Sequence, residues 1–101
     1  MDFQRTDGQA ASMADGQMTL EQIDEKVLHE TFRTLTRAEC RVLQWIVHGK
    51  TDGEIAIIVG CAWRTVTTHV SRILSKLEVE SRHAATILVI RVVICGEPFS
   101  G

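Results

Sequence analysis

Tyrosine is absent from this sequence of 101 residues, and proline occurs once, as Pro98. Because proline ends or kinks a helix, nothing before Pro98 prevents long helices from forming. Cysteine is also scarce, and Cys40, Cys61 and Cys95 form an odd, widely spaced set without a CxxC pair. This set argues against a disulfide framework. The spacing of Cys40, Cys61 and His48 matches no common set of metal ligands, so we expect no metal site.

A long apolar segment is missing as well. The longest apolar run, at residues 86–95, is interrupted by Arg91 and is too short to cross a bilayer. Residues 1–17 lack the apolar centre of a secretion signal. We therefore expect a cytoplasmic protein without a membrane partner.

The net charge of −2 is small, but the charges are unevenly distributed. The acidic excess lies in residues 1–34, whereas residues 35–101 carry eight Lys or Arg against six Asp or Glu. The total does not suggest a polyanionic partner, but the second part of the chain permits one.

Two segments begin with the pattern Thr-x-x-Glu, at residues 36–39 and 51–54. In this pattern the Thr hydroxyl and the Glu carboxylate satisfy free amides at the start of a helix. We therefore interpret Glu39 and Glu54 as helix caps rather than catalytic acids. The sequence contains no nucleophile beside a base, no phosphate-binding loop and no carboxylate pair in a credible cleft, so we expect neither an enzyme nor a cofactor.

The spacing of apolar residues predicts three consecutive helices, over residues 37–48, 52–59 and 63–77. Gly60 lies between the second and the third. A glycine there suits a left-handed turn that redirects the chain within a few residues.

The helix predicted over residues 63–77 contains no Asp or Glu and has two different faces. One face is a continuous apolar stripe, formed by Val66, Val70, Ile73, Leu74 and Leu77. The opposite face is small, hydroxylated or basic, with Arg64, Thr67, Thr68, Ser71, Arg72 and Ser75. A face without bulk or acid can enter the major groove of DNA without a steric or charge penalty.

A further helix is predicted after Ser81, its expected N-cap, and it is apolar on nearly all sides. A terminal helix of a small domain cannot bury every face in its own core. We therefore expect a second subunit to cover one face.

The remaining segments flank this domain, which we place at residues 34–96. Residues 1–18 and 97–101 are expected to be disordered, the first of them because it is rich in Gly, Ala, Ser, Asp and Gln. Residues 19–33 are expected to form an amphipathic helix, over about 20–32, that is solvated, covers part of the domain or extends a dimer.

From Leu35 to about Arg91 the sequence resembles the DNA-binding domain of LuxR/NarL/FixJ-type (GerE-like) bacterial transcription regulators. The matching residues are LT..E at 35–39, VL at 42–43, G at 49, EIA at 54–56, G at 60, RTV..HV..IL.KL at 64–77, V at 79 and SR at 81–82. The resemblance implies an all-α fold, namely a four-helix helix-turn-helix domain, preceded here by one extra N-terminal amphipathic helix. It makes 37–48 the scaffold helix, 52–59 the positioning helix and 63–77 the recognition helix.

The resemblance also implies sequence-specific binding of double-stranded DNA by a homodimer at an inverted-repeat site, and thus a transcription regulator at the nucleoid. RNA polymerase is a further candidate partner. Positions that face the major groove are matched by Thr67, Thr68 and Ser71. Positions that meet or flank phosphates are matched by Arg64, Thr65, His69 and Lys76, and Arg72 adds a basic residue to the same face. The dimer contact would involve Ile87, Ile90, Arg91 and Ile94.

Several residues depart from the family pattern. Many relatives have Lys where this chain has Gly53 and Thr67, and Ala62 leaves the recognition helix without a side-chain cap. Relatives are usually polar at Ile57 and at Trp63, a side chain that we expect to be partly buried. These differences motivate an alternative function, a protein-interaction module with the same fold and little affinity for DNA.

Two further residues raise questions that the sequence leaves open. His69 either packs half-buried with a backbone partner or contacts a phosphate. Glu78 stands after the recognition helix, where relatives often have glycine.

Overall fold

Helices joined by short turns make up residues 18–99, the part of the chain that the computed structural model describes. Residues 1–17 and 100–101 lie outside it, and with them most of the predicted disordered lead and the end of the predicted tail. The elements are a 3-10 turn (Leu20–Gln22), α1 (Glu25–Thr31), α2 (Arg37–Val47), α3 (Asp52–Val59), α4 (Trp63–Leu77), α5 (Arg82–Val89) and a π-helical turn (Ile90–Ile94) that continues α5. No strand occurs within residues 18–99, so the predicted all-α fold is confirmed.

Both predicted capping boxes are formed. At the start of α2, the Thr36 hydroxyl accepts from the Glu39 amide at 3.1 Å, and the Glu39 carboxylate accepts from the Thr36 amide at 2.9 Å. At the start of α3 the corresponding distances, between Thr51 and Glu54, are 3.2 and 2.8 Å. These hydrogen bonds satisfy amides that a helix start otherwise leaves without a partner.

The core lies between α2 and the helices that surround it. Leu43 and Cys40 of α2 are fully buried, as are Val66 and Ile73 from the apolar stripe of α4. Burial, with the carboxylates of Glu25 and Glu39 nearby, raises the pKa of the Cys40 thiol to about 11. Cys40 thus serves as a small core side chain.

The N-terminal segment differs from the single amphipathic helix expected over residues 20–32. The backbone is extended at Ile23 and Asp24, so the short 3-10 turn and α1 are separate elements. Asp24 starts a new helix because its carboxylate accepts from the Val27 amide at 3.0 Å. Ile23 is buried, and its carbonyl lies 3.2 Å from Nε2 of His48 at the end of α2.

Side chains along α2 hold α1 in place. The Glu25 carboxylate accepts from Nε of Arg37 at 3.1 Å and from Nε of Arg41 at 3.3 Å. The Glu25 amide donates to the side-chain oxygen of Gln44 at 3.0 Å. With Leu28 fully buried, α1 covers one side of the scaffold helix, which was one of the alternatives that the sequence left open.

The C-terminal end of the described chain contacts the residue that follows α1. Arg91 donates to the Glu97 carboxylate at 2.9 Å, and the Phe99 ring packs edge-on against Phe32 with centroids 5.2 Å apart. Phe99 lies in the predicted tail, and nothing in the sequence indicated this contact. Within residues 18–99, no helix is long and apolar enough to span a membrane.

Candidate nucleic-acid interface

The hydroxylated and basic face of α4 is directed to solvent rather than into the core. Arg64, Thr68, Ser71 and Arg72 are exposed, and they recur at the three- and four-residue spacing of one helix face. Thr65 is exposed beside them, and Thr67 is half-buried at the edge of the face. α4 contains no Asp or Glu, so this surface can approach a polyanion.

A helix-turn-helix geometry presents this face. α3 ends at Gly60, which has φ = +75° and ψ = +39°, the left-handed conformation that glycine adopts without strain. The Gly60 amide donates to the Ala56 carbonyl at 2.9 Å, and α4 begins after two more residues. The predicted turn between the positioning and recognition helices is therefore confirmed.

The hydroxyl protons of two threonines on α4 are already in use. Oγ1 of Thr67 donates to the Arg64 carbonyl at 2.8 Å, and Oγ1 of Thr68 donates to the same carbonyl at 3.1 Å. Each hydroxyl oxygen can still accept a hydrogen bond, for example from the amino group of adenine or cytosine. Each Thr methyl group is also available to pack against a thymine methyl.

Lys76 differs from the other basic residues of α4 because it forms an ion pair with a residue of α2. Its ammonium donates to the Glu39 carboxylate of α2 at 2.8 Å, and the Glu39 side chain is only 2% exposed. Burial alone would raise the pKa of Glu39, but hydrogen bonds from Lys76 and the Thr36 amide, with the nearby charge of Lys76, hold it below its ordinary value. Lys76 thus connects α4 to the capping box of α2, a role that the sequence did not reveal.

His69 is half-buried on the side of α4 that approaches α2. Its Nδ1 atom is enclosed and has no hydrogen-bond partner among residues 18–99. The half-buried position agrees with one of the two interpretations of His69, but the structure provides no backbone partner for this nitrogen within the described residues.

Within residues 18–99, four of the seven Lys and Arg residues outside α4 form ion pairs. Arg37 and Arg41 share Glu25, Arg91 pairs with Glu97, and Arg82 pairs with Asp52. By contrast, the remaining basic residues near the exposed face make no ion pair within residues 18–99, namely Lys50, Arg64 and Arg72. Lys50 was missed in the sequence analysis. Its position next to the N-cap of a positioning helix is the signal that could have identified it.

Three apolar side chains beside this face are exposed. Ile57 is 83% exposed and Ile58 44% exposed on α3, and Trp63 is 60% exposed at the start of α4. Trp63 is therefore more open than the partial burial that we expected. The first amides of α4 receive no side-chain cap, because the N-cap residue is Ala62, as expected from the sequence.

The residues expected at a dimer contact lie along the last helix. Ile87 is 43% exposed, Ile90 and Ile94 are half-buried, and Arg91 is exposed beside Glu97. Their spacing places them on one side of α5 and of the π-helical turn that follows. Among residues 18–99 no group of three or more His, Cys, Asp or Glu side chains could hold a metal ion.

Comparison with known protein families gives a match over residues 33–89, more than half of the chain, to the bacterial regulatory proteins of the luxR family. The chain belongs to this family. The luxR family comprises transcription regulators that bind DNA through a helix-turn-helix domain and is not a class of enzymes. The match covers α2, α3, α4 and α5, the elements that carry and support the exposed face.

Individual relatives agree with the family assignment. The transcriptional regulatory protein YhcZ of Bacillus subtilis is 41% identical over 68 residues, which cover 67% of this chain and 32% of YhcZ. The response regulator protein VraR of Staphylococcus aureus is 45% identical over 58 residues, which cover 57% of this chain and 28% of VraR. VraR of Staphylococcus saprophyticus matches to the same extent. The chain thus spans about a third of the length of these relatives.

Proposed function

We propose that this chain binds double-stranded DNA at specific sequences and regulates transcription. The observation that carries the proposal is the exposed, acid-free face of α4, which a helix-turn-helix holds away from the core. An α-helix fits the major groove, and a face of hydroxyl and guanidinium groups offers hydrogen bonds to bases and charge to phosphates.

The side chains of α4 divide into two groups. We assign base contacts to Thr67, Thr68 and Ser71, which combine an accepting oxygen with a small volume. We assign phosphate contacts to the basic residues of the face, Arg64 and Arg72, and to the flanking Thr65 and His69. Lys76, which the sequence placed among the phosphate contacts, holds α4 on α2 through Glu39.

We further propose that two copies associate through the last helix. Ile87 is exposed, and Ile90 and Ile94 follow it on the same side of the helix, so a second copy could cover an apolar strip. A symmetric dimer presents the same recognition surface twice and therefore favours an inverted-repeat site.

A selection from a randomised duplex pool at two salt concentrations tests the DNA-binding proposal. Enrichment of inverted-repeat sequences supports a regulator, and binding should weaken as salt increases because phosphate contacts release counterions. The alternative is an interaction module, which the exposed Ile57 and Trp63 favour. Failure to retain any duplex even at low salt supports this alternative.

Two substitutions on α4 test the division of roles. Arg64→Ala should weaken binding to all duplexes about equally and reduce the salt dependence, whereas Thr68→Ala should change the preferred sequence. Binding constants for the enriched duplex and its single-base variants provide the measurement. An equal loss on every duplex for both variants contradicts the assignment.

The oligomeric state tests the role of the last helix. Ile90→Glu should give a monomer or an insoluble chain, because a charge in an apolar contact lacks a partner. Ile57→Glu is the matched control, since Ile57 is an exposed apolar residue on a different helix. Light scattering that shows an unchanged dimer for Ile90→Glu would exclude this interface.

A further inference from the structure

A groove of about 670 Å³ lies beside the start of the recognition helix. Its walls come from the end of α2, the turn that follows and the start of α3, together with the first residue of α4 and the N-terminal half of α5. The lining is mixed. Ile46, Val47 and Trp63 contribute apolar surface, and the polar side chains are those of Lys50, Thr51, Asp52, Arg82, His83 and Thr86. A mixed lining offers contacts to an occupant that combines apolar and charged groups.

Trp63 forms the edge of the groove that lies next to the proposed DNA-binding face. The side chain is 60% exposed, and it stands one helical turn before Thr67 and immediately before Arg64. Side chains four residues apart are neighbours on a helix surface. The groove and the face of α4 are therefore continuous across the indole ring.

Among the side chains that line the groove, the charge left without an ion pair within residues 18–99 is positive, although the exposed carboxylate of Glu54 lies near enough to Lys50 for their charges to interact. Arg82 is occupied, because it pairs with Asp52 and donates to the Lys50 carbonyl at 2.9 Å. That contact fixes the backbone of Lys50, while the ammonium of Lys50 makes no ion pair within residues 18–99. The exposed imidazole of His83 is a further potential hydrogen-bond donor in the lining.

Gly53 leaves the mouth of the groove open. A Cβ atom added at Gly53 would meet no atom within 4 Å, so an extended ligand can pass this point without displacing a side chain. The groove thus has the Trp63 ring and the Lys50 ammonium in its lining and is open at Gly53.

We propose that Trp63 contacts DNA by packing its ring on the sugars of the strand beside the major groove, while Lys50 meets the adjacent phosphate. The proposal rests on the proposed DNA-binding function and extends the contact surface beyond the recognition helix. A sugar–phosphate strand fits this groove because apolar sugar faces alternate with negative phosphates along it. A sugar can pack on the Trp63 ring while the next phosphate meets the Lys50 ammonium. Sugars are the same at every base pair, so Trp63 would add affinity rather than sequence preference.

Tryptophan fluorescence tests the contact directly, since the chain has only two tryptophans. Trp45→Phe leaves Trp63 as the single emitter, and Trp63→Phe leaves Trp45, which is half-buried with its ring 6.0 Å from that of His48. The probes are the enriched inverted-repeat duplex and a random duplex of equal length. As DNA is added, the emission of the Trp45→Phe variant should decrease, and the dissociation constant from this change should equal the one from the anisotropy of labelled DNA. Emission of the Trp63→Phe variant should not change.

Binding measurements on two further variants give an independent readout. Trp63→Ala should bind both duplexes roughly tenfold more weakly with an unchanged salt dependence, because no charge is lost. Trp63→Phe should stay within about twofold of the unmodified chain, because an aromatic ring remains. Lys50→Ala should instead reduce the logarithmic salt slope by about 1.

The outcomes separate this inference from the function on which it rests. DNA binding with unchanged Trp63 emission, or with full affinity in Trp63→Ala, overturns the inference and leaves the DNA-binding function in place. A protein partner for Trp63 then becomes the better explanation. Failure of the unmodified chain to bind either duplex at low salt overturns both.

Discussion

The two Thr-x-x-Glu capping boxes have the same chemistry but different surroundings. In each box the Glu carboxylate accepts from the Thr amide, at 2.9 Å in α2 and 2.8 Å in α3. Glu39 is 2% exposed and also binds Lys76 of the recognition helix, whereas Glu54 is exposed. The same four-residue motif therefore connects two helices in one place and only closes a helix start in the other.

Burial accounts for this difference. A carboxylate that is removed from water loses hydration and must be compensated by several donors. Glu39 has the Thr36 amide and the Lys76 ammonium, while Glu54 keeps its contact with water. Position in the fold, rather than the motif itself, thus decides how much each Glu contributes to stability.

Among these predictions, the largest difference in the free energy of unfolding is expected between variants that lack the carboxylate of Glu39 or of Glu54. Glu39→Ala should lower the free energy of unfolding by about 2–3 kcal/mol, because it removes a cap and leaves the buried surroundings with a cavity and an unpaired amide. The ion pair itself adds little, since the Lys76 side chain is 35% exposed. Glu54→Ala should cause a smaller loss because water can replace the carboxylate. Urea unfolding followed by circular dichroism compares the two, and equal losses would contradict the comparison.

The pH dependence of stability should distinguish the same two residues. The pKa of Glu39 is held below its ordinary value of 4.5, so the stabilisation that it provides is complete above pH 4.5. It is lost as the pH falls through the folded-state pKa, because the unfolded chain then binds more protons. Glu39→Gln should flatten this acid dependence, since an amide does not titrate in this range.

Glu54→Gln is the matched control for this measurement. The amide of Thr51 is the main cause that lowers the pKa of Glu54, so its contribution has the same sign. The pKa of Glu25 is also lowered: burial alone would raise it, but Arg37 and Arg41 outweigh that effect, and this contribution stays in both variants. We expect the larger change in slope for Glu39→Gln, because Glu39 is buried and accepts a hydrogen bond from an ammonium as well as from an amide, whereas Glu54 is exposed to water. A larger change for Glu54→Gln would reverse the assignment of the connecting role.

The capping boxes also illustrate what the sequence could predict. Local patterns predicted α2, α3 and α4 to within a residue, because the signals for a helix start lie three residues apart and Gly60 marks the turn. The solvent-facing side of α4 was predictable from its apolar stripe for the same reason. The contact between Glu39 and Lys76 spans 37 positions, so no local pattern contains it.

The segments that the sequence predicted less well are those whose contacts are distant. The break before α1 depends on the burial of Ile23 beside His48, 25 positions away. The contact of Phe99 with Phe32 joins the two ends of the described chain. The exposure of Trp63 could not be predicted either, since an indole at a helix start is compatible with both a buried and an open position.

A third helix start extends the comparison to a helix with no cap. α4 begins after Ala62, whose backbone is extended as a cap residue requires but whose side chain accepts nothing. Ala62→Ser should therefore raise the free energy of unfolding by about 1 kcal/mol, because a hydroxyl would satisfy an amide of the first turn. Ala62→Val, which adds volume without an acceptor, is the control. If both variants are equally stable in urea, the missing cap is not what limits the stability of α4.

Substitutions of Glu78, at the C-terminal end of α4, are expected to change the free energy of unfolding least. Glu78 has φ = +59° and ψ = +44°, a left-handed conformation that strains residues with a Cβ atom. Its carboxylate also lies at the negative end of the helix dipole. Glu78→Gly should stabilise the fold by less than about 1 kcal/mol, because the relief of strain is partly offset by the greater freedom of glycine in the unfolded chain. Glu78→Ala separates the two causes, since it removes the charge but keeps the Cβ atom. If Glu78→Ala stabilises as much as Glu78→Gly in urea unfolding, charge rather than backbone strain governs this helix end.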